Sequence, residues 1–358
     1  MATLFIFIVV LGVLILVHEF GHFYVAKKLG IKVEEFGFGF PPRLFGKKFR
    51  GTLYSFNLFP LGGFVKIFGE HGEGEGIKES FISRPGWQKF LVIFAGVFMN
   101  LMLAWAFFSF GNMLGVPAVK ESAGDEVKNA AVTIVGVARD SPAGKSGIHF
   151  GDAVLEMRAV DFFQKINSVE DLQKFVAAYK GEKISLVLKR GDSLVTVEAV
   201  PRIEYPEGEG ALGIALAEVG TKIVPLYLAP VEGLKSVYFT TVGTISAVGS
   251  LFKNLILSGR VPSEISGPVG IFLFVGEVKS LGLVYLLQFI AILSVNLAVL
   301  NILPIPALDG GRILFLAIER VIQSKFNPKV ENAIHTAGFL ILILLMIIIT
   351  YRDIIKLF

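Results

Sequence analysis

Four stretches of this sequence, near residues 2–26, 90–114, 281–308 and 333–351, are apolar and long enough to cross a hydrocarbon layer about 30 Å thick. Inside such a layer every backbone N–H and C=O must find its partner within the protein, so each stretch is expected to be a helix. Composition agrees. Hydrophobic residues make up 53% of the 358 and charged residues only 18%, far from an ordinary soluble domain. The expected fold class is therefore an α-helical polytopic membrane protein with four transmembrane helices. A cleaved signal peptide is the competing reading of the first stretch, but no Lys or Arg precedes Lys27, and a signal peptide carries a basic leading region.

Charge asymmetry sets an expected orientation. The segment after the first span holds a run of basic residues from Lys27 to Lys89, and the segment between the last two holds Arg312, Arg320, Lys325 and Lys329. By the positive-inside rule both are cytoplasmic, with both termini and the long middle segment outside. A fifth candidate, Ser236–Phe252, is rich in Ser, Thr and Gly between Lys235 and Lys253. It is read as an amphipathic helix on the outer membrane surface. The net charge of +4 comes without a basic block interleaved with aromatics, so no nucleic-acid partner is expected. The chain thus divides into a first span (1–26), a cytoplasmic segment (27–89), a second span (90–114), an outer domain (115–205), an outer amphipathic segment (206–280), a third span (281–308), a cytoplasmic loop (309–332) and a fourth span with the C-terminus (333–358).

The chemistry lies at the inner end of the first span, in His18-Glu19-Phe20-Gly21-His22. On a helix His18 and His22 project from one face, about 40° apart in azimuth. That spacing lets two imidazoles grip one metal, with Glu19 beside them as general base. Residues 2–17 carry no charge, and an ionisable cluster at bilayer depth is a functional-site candidate by default. The chain has no cysteine, so His, Asp and Glu are the available ligands. His18 lies about 24 Å along an inward-running helix. The third span also runs inward, so Asp309, the first charge after the uncharged run 281–308, arrives at about the same depth. Two histidines and one carboxylate leave a position open for water, as a catalytic Zn2+ site requires.

His18–His22 together with Asn301-Ile302-Leu303-Pro304-Ile305-Pro306-Ala307-Leu308-Asp309-Gly310-Gly311 resembles the site-2 protease family of intramembrane zinc metalloproteases, most closely the bacterial regulator-of-sigma-E protease group. The likeness extends to Gly37-Phe38-Gly39-Phe40-Pro41 and Ser266-Gly267-Pro268-Val269-Gly270, and so covers nearly the whole chain. It implies that His18, His22 and Asp309 bind zinc, that Glu19 is the catalytic base, and that Asn301 holds substrate backbone near the metal. It further implies cleavage within the helices of single-span membrane proteins, such as anti-sigma factors or signal-peptide remnants, in the bacterial cytoplasmic (inner) membrane. The bacterial type member has two outer PDZ domains, whereas this chain has room for one.

The outer domain shows short alternating strands at Val132–Val137, Ile184–Leu188 and Leu194–Val197, with helical spacing over Ser168–Tyr179. Ser141–Asp152 resembles a bacterial PDZ domain, an α+β module that binds peptide ends by adding a strand. A spacer without a ligand is the plainer alternative. His149 is read as a loop residue. In the cytoplasmic segment, Leu53–Phe59 and Phe64–Phe68 flank Pro60-Leu61-Gly62-Gly63, the pattern of a hairpin dipping into the membrane. Two uses fit it equally: a strand edge that captures substrate through Gly62, Gly63 and Phe64, or anchoring of aromatics at the interface. His71 and the Gly/Glu run after it read as a solvated loop. The function expected is an intramembrane zinc metalloendopeptidase. The competing class is a PDZ-bearing membrane scaffold with a structural zinc. A transporter would want more intramembrane carboxylates.

Overall fold

The computed structural model of the chain describes residues 1–70, 72–120, 127–138, 140–160, 162–191, 193–206, 208–258, 267–324 and 326–355. His71, Ser266 and Lys325 lie outside the described residues. In chain order the described residues form α1 (Ala2–Lys28), β1 (Val33–Phe49), β2 (Thr52–Ile67), α2 (Gly86–Leu114), β3 (Val116–Val119) and β4 (Lys128–Val137). There follow α3 (Pro142–Lys145), β5 (Ala153–Ala159), β6 (Phe162–Lys165), α4 (Val169–Ala178), β7 (Ile184–Arg190), β8 (Ser193–Ala199) and β9 (Ile214–Lys222). The chain closes with α5 (Ala229–Ser258), α6 (Pro268–Leu281), α7 (Leu283–Ile302), α8 (Asp309–Ile322) and α9 (Pro328–Ile355). Two compact units result: residues 1–109, 230–275 and 288–358, and residues 110–229 with 276–287.

In the first unit, α1, α2, α7 and α9 are each long and apolar enough to cross a membrane. Lys27 and Lys28 close α1, where cations oppose the partial negative charge of the helix end. Small side chains let the helices approach: Ala104 and Phe108 of α2 pack with Val237 of α5 and with Ala291, Val295 and Val299 of α7. The segment expected as an amphipathic helix over 236–252 is part of the longer α5. It is tied to α2 by Trp105 Nε1 donating to the Pro230 carbonyl (2.9 Å) and to α7 by Thr244 Oγ1 donating to Asn296 Oδ1 (2.8 Å). Much of α9 exposes Phe339, Leu340, Ile341, Leu344 and Leu345, an outer face that only an apolar solvent would favour.

Two expectations are corrected in this unit. The third span does not continue to Leu308 but ends at Ile302. Pro304 and Pro306 lack the N–H that would continue the ladder, and each disfavours a helical residue before it. A new helix, α8, starts at Asp309 where a loop was expected. The expected hairpin between Leu53–Phe59 and Phe64–Phe68 does not form either. Both runs pair with β1, on opposite sides: Gly37 faces Ser55 on one and Phe64 on the other. The tight turn is Arg50–Gly51, with φ of 47° and 82°, the positive values a two-residue hairpin needs. Pro60–Gly63 instead carries the chain from one side of residues 35–38 to the other. Residues 63–67 pair on one side only among the described residues, and so form an outer edge of the sheet.

The second unit is a seven-stranded sheet ordered β3-β9-β4-β5-β7-β8, with β6 on β5. Its core joins Ile134, Met157, Leu186, Leu188 and Leu212 to Leu172, Phe175 and Val176 of α4. A reciprocal pair of bonds between Ser168 and Asp171 starts α4. Asp152, fully buried, accepts from Arg190 Nε (2.8 Å) and Nη2 (2.7 Å) and from the His149 N–H; its carboxylate holds Arg190 above its ordinary pKa. His149 is a loop residue, as expected. The boundary expected at residue 205 is corrected. β9 lies between β3 and β4 in the sheet, so the domain extends to Lys222 and the segment 206–280 begins with a strand. Ile214–Lys222 carries alanines and a glycine where a strand signal wants β-branched residues.

Candidate metal centre

One turn of α1 separates His18 from His22, so both rings leave the same face and their Nε2 atoms come to 3.1 Å. Oδ2 of Asp309, the first residue of α8, lies 3.1 Å from Nε2 of His18 and 3.4 Å from that of His22. The three ligand atoms fall within 4.8 Å of one another. Both histidines are buried and Asp309 is half-buried. All three residues singled out in the sequence as ligands therefore converge on one point.

Helix α2, the second of the expected spans but one to which the sequence assigned no site residue, holds this arrangement from behind. Residues 92, 96 and 100 of α2 recur every four positions and so share a face. Nδ1 of His22 donates to the Val92 carbonyl (2.8 Å), and the Asn100 amide lies 3.3 Å from Nδ1 of His18. Gly96 between them provides the clearance. A Cβ there would strike Nε2 of His22 and stand 2.7 Å from Cε1 of His18. Gly21 packs equally closely on the Ala95 carbonyl. The sequence signal was present: an asparagine in an apolar span, four residues after a glycine.

Asp309 is aimed by the turn before it. Ile305 N–H donates to the Leu303 carbonyl (2.7 Å) and Leu308 N–H to that of Ile305 (3.2 Å). Ala307 takes a left-handed φ of 79°, and its N–H donates to Nδ1 of His335 on α9 (3.0 Å). Side chains on Gly310 or Gly311 would collide with the carbonyls of Ile302, Leu303 and Ile305. The two glycines thus let α8 begin tight against the end of α7.

The cluster opens on a cavity of about 590 Å³ walled by Glu19, Phe64, Asn301, Arg312 and His335, among others. Glu19 is beside the histidines, and a Cβ on Gly63 would stand 3.8 Å from its Cγ. The Asn301 amide lies 3.4 Å from Nε2 of His18. Gly62 faces Phe40 and Ile15 instead, one step removed from the metal ligands. Arg312, one turn after Asp309, forms an ion pair with Glu70 on the cavity wall. Burial opposes the guanidinium charge there, and Glu70 more than compensates, which keeps Arg312 above its ordinary pKa. Neither Arg312, Glu70 nor His335 was predicted.

The model of Peptidase family M50 matches residues 6–345. The chain belongs to peptidase family M50. It is 36% identical to a protein of Clostridium perfringens that bears a provisional zinc-metalloprotease name, over 96% of this chain and 95% of that one. A similarly named protein of Fusobacterium nucleatum is 34% identical over 99% of each. The zinc metalloprotease RasP of Shouchella clausii is 29% identical over the whole of both. A PDZ domain of an SdrC-like protein from Listeria monocytogenes matches 26% of this chain and 93% of its own at 22% identity, with a TM-score of 0.22 that is too low to assign the fold. This M50 peptidase is a zinc metalloprotease, and its apolar helices make it a bacterial membrane protein.

The residues present suit zinc. With His22 donating through Nδ1, its Nε2 is a bare lone pair, and Oδ2 of Asp309 facing it is buried with no hydrogen-bond donor among the described residues. Nitrogen and carboxylate donors without sulfur, three in number, match a catalytic rather than a structural zinc.

Proposed function

We propose that this M50 peptidase hydrolyses peptide bonds within the helices of single-span membrane proteins, in the bacterial cytoplasmic membrane, with zinc held by His18, His22 and Asp309. The observation that carries the reading is the convergence of these three side chains at the inner end of a helix whose first sixteen residues are uncharged. The basic residues of 27–89 and 309–332 support a cytoplasmic assignment for those segments under the positive-inside rule, with both termini and the sheet domain outside. A cytoplasm-side site within the bilayer follows.

Bound zinc supplies Lewis acidity to the scissile carbonyl and to water. Glu19 takes the proton from the attacking water and returns it to the departing amine nitrogen. The Asn301 amide holds a substrate carbonyl beside His18. A helix hides its carbonyls in internal hydrogen bonds, and opening one in lipid costs several kcal/mol per unsatisfied group. The free edge at residues 63–67 replaces those bonds by pairing with the substrate as an added strand, with Gly63 and Phe64 next to Glu19. Gly62 shapes the approach to this edge. The outer domain acts as a PDZ-like module for peptide ends. Ile214 and Leu216 of β9 face Leu172 and Val176 of α4 across a cleft of about 210 Å³, and among the described residues β3 pairs with residues 219–222 of β9.

The test is the cut itself. Cleavage of a model single-span substrate, mapped by mass spectrometry, is expected in the cytoplasmic half of the span. Gly or Pro near the cut is expected to speed it and Leu-rich replacement to slow it. A cut in the outer half, or rates indifferent to helix stability, contradicts the proposal.

A further inference from the structure

Asn100 is a fully buried polar residue in a predominantly apolar helix, and burying a carboxamide is costly wherever a partner is missing. Its nitrogen lies 3.3 Å from Nδ1 of His18, and its oxygen, Oδ1, is buried with no hydrogen-bond partner among the described residues. Its backbone carbonyl is already engaged by Ser294 Oγ at 2.7 Å, so packing of α2 on α7 does not need the side chain.

The two ends of a carboxamide serve opposite forms of an imidazole. The NH2 end donates to Nδ1 of a His18 that carries its proton on Nε2. The oxygen accepts from Nδ1–H, and only that form leaves the Nε2 lone pair for a cation. Half a turn of the amide exchanges the two ends. His22 has no such choice, because a carbonyl, Val92 O, faces its Nδ1 and can only accept. Asn301 is not placed to do the same for His18, since its amide nitrogen stands almost equally far from Nδ1 and Nε2 (3.5 and 3.4 Å) and so lies in line with neither.

We propose that Asn100 is a positioning residue that accepts the Nδ1 proton of His18 through Oδ1 and thereby directs the Nε2 lone pair at the metal. Val92, Gly96 and Asn100 then form one functional stripe: an acceptor for His22, clearance for both rings, and an acceptor for His18. This inference rests on the reading of His18 as a zinc ligand. Metal ligands that lose such an outer partner typically lose 10- to 100-fold in affinity.

The experiment is a zinc titration against a chelator, in detergent, of the full chain, with His18→Ala, Asn100→Leu and Asn100→Asp. Folding of each is checked by melting without metal. Asn100→Leu removes the acceptor and is expected to weaken zinc 10- to 100-fold. Asn100→Asp offers an oxygen in either orientation and is expected to bind zinc within a few-fold of the native chain. Cobalt-substituted protein adds a spectroscopic readout, in which Asn100→Leu shifts the visible bands and Asn100→Asp restores them. If Asn100→Leu does not fold, Asn100→Ala takes its place in the same titration. Native affinity in the folded acceptor-less variant, or equal losses in the Leu and Asp variants, overturns the proposal. If His18→Ala leaves zinc affinity unchanged, the ligand assignment itself has failed, a distinct result.

Discussion

Gly96→Ala places one methyl group against both histidines. Its Cβ would stand 2.6 Å from Cε1 of His22 and 2.7 Å from Cε1 of His18, whereas carbon atoms settle at about 3.5–4.0 Å. Each ring must therefore retreat by roughly 1 Å, or α1 and α2 must separate. The close seating of Gly21 on Ala95 opposes separation. Zinc–nitrogen distances tolerate only about ±0.2 Å, so a 1 Å retreat removes both imidazoles as good ligands. We expect zinc affinity to fall at least about 100-fold, equivalent to about 2.8 kcal/mol at 1.4 kcal/mol per decade. Overpacking adds a cost of about 1–3 kcal/mol in the metal-free protein. Chelator competition reads the first effect and thermal melting without zinc the second. Gly243→Ala on α5, where no described residue lies within 4 Å, is the control and is expected to change neither. Native zinc affinity in Gly96→Ala would refute the role assigned to this face of α2.

Three further outcomes are expected. Glu70→Leu or Arg312→Leu alone leaves a charge without its partner in a half-buried wall and is expected to destabilise by about 1–3 kcal/mol. The double variant recovers much of that loss in a melting experiment, because a buried pair replaced by apolar groups is often neutral. Replacing residues 116–222, from β3 through β9, by a short linker is expected to leave cleavage of a short, pre-trimmed substrate intact and to weaken discrimination against substrates with bulky outer domains. Loss of all cleavage in a folded variant contradicts that role. His335→Leu removes the acceptor for the Ala307 N–H and is expected to lower zinc occupancy through Asp309, read by metal analysis.

The four spans and the paired histidines were legible because both are short-range signals. A run of apolar residues and an i, i+4 spacing need no knowledge of the partner. Asp309 was legible for a related reason, as the first charge after a long uncharged run. What the sequence hid was everything decided by distant partners. Gly96 and Asn100 acquire meaning only once α2 is known to lie behind the histidines. The runs 53–59 and 64–68 look like natural hairpin partners, and each can satisfy its backbone against the other. Yet β1 supplies a longer partner that takes both, and the turn residues Arg50 and Gly51 sit earlier than Pro60–Gly63. Strand β9 carried too little β-branched character to be seen. The turn at Leu303–Leu308 was hidden for a different reason: its apolar composition continues that of the span, and only Pro304 and Pro306 report the break.

The central claim, that His18, His22 and Asp309 hold the zinc while Glu19 moves the proton, is tested most directly by measuring zinc content and cleavage of a single-span substrate together in four proteins: native, Glu19→Gln, His22→Ala and Asp309→Ala. Glu19→Gln is expected to keep one zinc per chain and to lose about 10²- to 10⁴-fold in cleavage rate. The two ligand variants are expected to lose zinc and activity together. Full activity in Glu19→Gln, or undiminished zinc in Asp309→Ala, would contradict the account.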